Sequence, residues 1–143
     1  MAQMIAELAG ADLFEIIPEM LYPSGYQEVV DQAKEEIATG FRPGLKKDLE
    51  SVNLYDIIFL GSPNWWGTIA PPVATFLSSH DLSGKTLVPF ITHEGSGMGR
   101  AEENIKKLCP GAKLLQGMAV QGHHVTKARK EVRQWLQKIG IIQ

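Results

Sequence analysis

Apolar and polar residues along this chain follow two alternating rhythms. From about residue 25 to 39, Tyr26, Val29, Val30, Ala33 and Ile37 recur three or four apart, marking one face of a helix closed by Gly40. Pro71 and Pro72 open a second helical segment carrying Val73, Phe76 and Leu77, because proline suits a first turn. Ala101, Ile105, Leu108 and Cys109 form a third stripe, with Glu102 and Glu103 one turn ahead of Lys106 and Lys107. The last stripe, Val125, Ala128, Val132, Trp135, Leu136 and Ile139, is the strongest and assigns Trp135 to the core. Between the stripes lie short apolar runs at Leu13–Ile17, Asp56–Leu60, Leu87–Thr92 and Leu114–Val120. The middle two are nearly continuous, as parallel strands covered on both faces should be. This alternation predicts one α/β domain over residues 1–143, an open, doubly wound parallel sheet. Four strands are expected, near residues 12–17, 55–61, 86–92 and 114–120.

Such sheets bind ligands outside the carboxyl ends of their strands. Two unusual loops fall at that edge, residues 61–70 and 93–100. The first contains Gly61-Ser62-Pro63-Asn64-Trp65-Trp66-Gly67-Thr68. Adjacent tryptophans in a loop cannot both enter one core, and a large flat apolar side chain left outside needs a cover. That cover is the loop's own domain, a planar aromatic ligand or a partner protein. The second loop, Thr92-His93-Glu94-Gly95-Ser96-Gly97-Met98-Gly99, alternates glycines that let backbone amides approach a ligand closely. Its G-x-G-x-G spacing differs from the dinucleotide fingerprint G-x-G-x-x-G, so alone it also reads as a plain flexible turn. Together the loops point to a flat heteroaromatic ring held between aromatic faces and backbone amides.

Composition narrows the field. The 143 residues are 44% hydrophobic and 21% charged with a formal charge of -2, ordinary globular values without a basic footprint for nucleic acid or anionic membrane. No run approaches the ~18 apolar residues of a membrane span. No signal peptide is recognisable, and the single cysteine, Cys109, suits a reducing compartment, so a cytoplasmic location is expected. Cys109 reads as a buried structural thiol. Gly84-Lys85-Thr86 ends like a phosphate-binding loop, yet Ser79 holds the place of its first glycine and a strand follows. His93-Glu94 lacks the second histidine of a zinc protease, and His123-His124 has no neighbouring carboxylate or thiolate cluster. No catalytic side chain and no metal site is expected. A redox cofactor would carry the chemistry.

The order of these elements resembles the flavodoxin-like family of small bacterial flavoproteins. The resemblance rests on Tyr55-Asp56-Ile57-Ile58-Phe59-Leu60 running into the double-Trp loop, then Pro71-Pro72-Val73, Asp81-Leu82-Ser83-Gly84-Lys85-Thr86 and Thr92-His93-Glu94-Gly95-Ser96-Gly97. It spans about Ala11 to Gly140. It implies FMN as cofactor, with Pro63, Asn64, Trp65, Trp66, Gly67 and Thr68 beside the isoalloxazine ring. Glu94, Gly95, Ser96 and Gly97 would line its pyrimidine edge. Family members begin with an apolar strand and a Ser/Thr-Gly-Asn-Thr loop that cradles the FMN phosphate. Here Met1–Leu8 resembles the helix that follows them, so the chain is expected to be N-terminally truncated. Removing that strand should leave a gap of about 10 Å between the runs at 13–17 and 56–60, or force the first strand to move across.

Two functions of different class follow. The first is an FMN-dependent oxidoreductase passing electrons from a donor such as NAD(P)H or a redox protein to a quinone-like or protein acceptor. The small net charge disfavours a dedicated electron carrier with an acidic docking face. The second is a non-catalytic module that has lost FMN and uses Trp65-Trp66 to bind another protein or a second copy in a homodimer.

Overall fold

In the computed structural model, which describes residues 1–49 and 51–143, the carboxyl-edge loops are set by a parallel sheet built around one central strand. Strand β1 (Ile57–Pro63) pairs in parallel with β2 (Thr86–His93), register Ile57 to Thr86 through Pro63 to Thr92. On the other side of β2 run two short parallel strands, β3 (Lys113–Leu114) and β4 (Met118–Gln121). Helices α1 (Ala2–Ala9), α2 (Tyr26–Thr39), α3 (Pro71–Ser79), α4 (Ala101–Leu108) and α5 (Arg129–Lys138) complete the α/β alternation expected from the sequence.

The central strand has two apolar faces. Leu87 and Ile91 point into a core with Leu77, Phe76, Ala101 and Ile105 of α3 and α4. Val88 and Phe90 point the other way, against Ile5 of α1 and Val132, Trp135 and Leu136 of α5. Period-two alternation along β2 thus feeds both layers. Trp135 is buried as expected, and its indole N–H donates to the Gln116 carbonyl at 2.9 Å. Cys109 is a buried free thiol, and burial pushes its pKa up. The helix at 26–39 closes at Gly40 as expected, but Tyr26 is 85% exposed and only Ala33 is fully buried there. The last helix begins later than its stripe suggests. Gly122–Lys127 forms a 3-10 segment that places Ala128 in the core before α5 starts.

Two strand expectations need correction. Residues 114–120 do not form one strand; the ladder breaks between Leu114 and Met118. The cause is Pro89, in the middle of β2. Leu115 N–H donates to the Leu87 carbonyl, so alternate β2 residues face this side, and Pro89 would be next. It has no N–H to give, and the neighbouring chain kinks past it at Gly117, where a Cβ would press on the Pro89 carbonyl oxygen.

The run Leu13–Ile17 is not a strand either. Residues 11–17 join no ladder, and the backbone first pairs at Pro18, in an isolated antiparallel bridge with Leu45. Glu19 N–H donates to the Gly44 carbonyl and Lys46 N–H to the Ile17 carbonyl, at 2.8 and 2.7 Å. The apolar pattern survives without a strand ladder because Phe14 and Ile16 still pack on the core of α3, and the Ile17 carbonyl at its end accepts from Lys46 N–H. Between this segment and β1 runs a groove of about 920 Å³, floored by Ile5 and Ala6 and walled by Phe14, Ile16, Ile58 and Leu60. Tyr55 spans it near the start of β1, its hydroxyl donating to Asp12 at 2.7 Å.

Candidate functional site: two loops joined at the carboxyl edge

Because Pro63 and Thr92 are in register, the loops after β1 and β2 leave the sheet side by side. Asn64 N–H donates to the Thr92 carbonyl at 2.7 Å, carrying the pairing one residue past the strand. The Asn64 side chain then ties both loops. Its amide donates to the Gly97 carbonyl at 2.7 Å, and its oxygen accepts from Gly67 N–H at 2.9 Å. Arg100 N–H donates to the Gly67 carbonyl at 2.7 Å. Gly99 crosses this point so closely that a Cβ there would overlap the Gly67 oxygen. Two loops that the sequence linked only by order are one rigid assembly.

Within the first loop, Trp65 and Thr68 exchange backbone hydrogen bonds of 2.9 and 3.2 Å around the pair Trp66-Gly67. Both central residues have positive φ, 55° and 82°, the signature of a type I′ turn. Gly67 takes this conformation freely. Trp66, the one non-glycine residue with positive φ among those described, bears a cost of about 1–2 kcal/mol. Its compensation is visible: the indole N–H donates to the Val30 carbonyl of α2 at 2.9 Å, and the Lys34 ammonium lies 5.2 Å from the ring centre. Trp66 is therefore docked outward on α2.

Trp65 turns the other way. It is half-buried and borders the carboxyl end of the groove with Pro63, Thr92 and Tyr22. Thr68 is buried, its hydroxyl accepting a short hydrogen bond from Asn104, so its side chain serves the scaffold. Ser62 is likewise consumed, accepting from Ala70 N–H at the start of α3.

The second loop is more open. A Cβ at Gly95 or Gly97 would meet nothing within 4 Å. Gly95 N–H is taken by His93 Nδ1 at 2.9 Å, which leaves the neutral imidazole protonated at Nε2. The amides of Ser96 and Gly97 donate to no group among the described residues. The Glu94 carboxylate lies against Gly122, toward the loop after β4. His93, His124 and Glu131 border a separate shallow depression of about 440 Å³ on that side.

Three participants carried weak signals or none. Asn104 is a polar residue on the inward side of α4, and Arg100 acts through its backbone. Tyr22 lies in a non-periodic loop, yet its ring meets Trp65 edge-on, centroids 5.0 Å apart at 86°. Its hydroxyl donates to Glu36 at 2.6 Å. Burial first, then the Glu36 carboxylate, pushes its pKa well above the usual tyrosine range.

The fold is that of a doubly wound α/β protein whose two loops meet at the carboxyl edge. A flavodoxin family model matches residues 1–139, and the chain belongs to that family. Among solved structures, a protein from Bacteroides eggerthii DSM 20697 assigned as a flavoprotein is similar at 30% identity and TM-score 0.82, over 96% of this chain and 87% of that one. A counterpart from Bacteroides uniformis ATCC 8492 gives 29% identity and TM-score 0.83, over 95% and 87%. A flavoprotein from Lactobacillus acidophilus NCFM, solved in complex with FMN, shares the fold at 23% identity and TM-score 0.69, over 88% and 85%. No curated protein matches the chain.

Proposed function

We propose that the chain is an FMN-binding flavoprotein that transfers electrons from a reduced donor, NAD(P)H or a redox protein, to a quinone-like or protein acceptor. The observation that carries this reading is the joined pair of loops. Asn64 fixes a surface on which Trp65 offers an aromatic wall and the second loop offers unclaimed amides. The residues fit the ring. Gly95 and Gly97 leave room that a side chain would fill, and the Ser96 and Gly97 amides can donate to its polar edge. When bound, FMN supplies reversible electron transfer.

The chain's own part is placement. Trp65 flanks the ring, Pro63 and Asn64 set the height of the wall, and Trp66, Gly67 and Thr68 hold the turn to α2 and α4. Glu94 acts at a distance from the ring, because its carboxylate faces Gly122. A cytoplasmic setting suits the single buried thiol.

Reconstitution tests the proposal. The purified protein mixed with FMN should develop a visible circular dichroism band near 450 nm, and reduced NAD(P)H or dithionite should bleach it. A featureless band at saturating FMN would reject it. The second reading, a flavin-free interaction module, draws on the exposed Met20, Leu21, Tyr26 and Trp66 around α2 and its preceding loop. It predicts binding to another protein or a second copy that the same flavin titration leaves unchanged.

A further inference from the structure

The type I′ turn fixes the backbone of Trp65 but not its side chain, which sits half-buried beside the groove with rotamers to choose from. Something else must fix the plane of the indole. Besides the core cluster it packs against, the aromatic contact in place is Tyr22, perpendicular to Trp65 within 4° and 5.0 Å away between ring centres. Tyr22 is itself held at both ends. Its loop is pinned upstream by Glu19 N–H on the Gly44 carbonyl, and α2 begins at Tyr26. Its hydroxyl donates to Glu36 Oε1 at 2.6 Å, and Gln32 donates to the other Glu36 oxygen at 3.0 Å. A single helix therefore holds both tryptophans: Trp66 directly through the Val30 carbonyl, Trp65 through Glu36 and Tyr22.

We infer that Tyr22 is a positioning residue of the flavin site, setting the tilt of the Trp65 indole presented to the ring, with Glu36 as its anchor. The inference rests on the flavoprotein reading above. Tyr22 borders the same end of the groove as Trp65, so a ring seated there senses any change in their angle. A merely structural tyrosine would hold its loop down and leave the indole alone.

The test uses protein labelled with 5-fluorotryptophan, its three fluorine resonances assigned through W65F and W135F. Tyr22→Leu should shift and broaden the Trp65 resonance while leaving that of Trp135 in place. It should weaken FMN by no more than Trp65→Ala does, about twofold, and reshape the visible circular dichroism of the bound flavin. Tyr22→Phe keeps the ring without its anchor and should broaden the same resonance with little change in Tm. Glu36→Gln retains an acceptor and should stay close to wild type. An unmoved Trp65 resonance and unchanged flavin dichroism in Tyr22→Leu and Tyr22→Phe would overturn the inference, whatever happened to Tm. If wild-type protein showed no flavin signal at all, the flavoprotein reading would fall. The fluorine spectra alone would then show whether Tyr22 fixes Trp65.

Discussion

Trp65 and Trp66 are neighbours in sequence with opposite duties, and the difference comes from two φ angles. Positive φ at Trp66 and Gly67 reverses the chain so that one indole reaches α2 and the other the groove. Trp65→Ala should therefore weaken flavin binding by about twofold to tenfold, the range for one aromatic contact, with a small change in Tm. Trp66→Ala should lower Tm and leave affinity nearly intact. Flavin titration and thermal melts on both variants separate the two, and equal effects would contradict the assignment. Tyr22 gives a pH prediction. Its folded pKa is raised, so the protonated phenol's contribution is complete below the ordinary tyrosine value of about 10 and lost as pH rises beyond it. Wild-type stability should fall more steeply above pH 10 than that of Tyr22→Phe. Parallel alkaline profiles would mean that the hydroxyl contributes nothing.

At the scale of elements, the weld between loops is the feature on which the site depends. Asn64→Ala removes two hydrogen bonds at a half-buried position and should cost about 1–3 kcal/mol in stability, by denaturant unfolding. Gly99→Ala should be worse than an ordinary surface change, since φ is 56° and the Gly67 carbonyl occupies the place of a Cβ. The contrast between these loops and the strands shows what a sequence discloses. The apolar run at 87–92 was legible because β2 is buried on both faces, and that at 57–60 was legible although Ile57 is exposed. The break between Leu114 and Met118 was not, because its cause is a missing N–H on a different strand. Leu13–Ile17 looked like a strand for the same reason that β1 did. Patterning reports which side chains are buried, whereas ladders need a partner at hydrogen-bond distance. Likewise the site loops were visible as composition, but the Asn64 clamp and the Tyr22 contact join residues 33 and 43 positions apart.

Over the whole molecule, the proposed ring site adjoins the groove, and the groove lining gives a prediction about cofactor discrimination. FMN differs from riboflavin by a phosphate carrying close to two negative charges. Among the described residues lining the groove, Lys47 is the single Lys or Arg, and its ammonium lies 5.9 Å from the Phe14 ring centre. The carboxyl end holds Pro63, Trp65, Thr92 and Tyr22, a surface for a ring and not for an anion. Each charge-assisted hydrogen bond to such a group is worth about 1.5–3 kcal/mol, so a cradle of three would separate the two flavins at least roughly a thousandfold. With Lys47 as the one Lys or Arg of that lining, the 143-residue chain should bind both weakly and almost equally. The most direct measurement is a fluorescence titration of this chain with FMN and with riboflavin side by side. Saturable quenching of both, with dissociation constants within about tenfold, is the predicted result. Absence of saturable quenching with either flavin would contradict a ring site at Trp65.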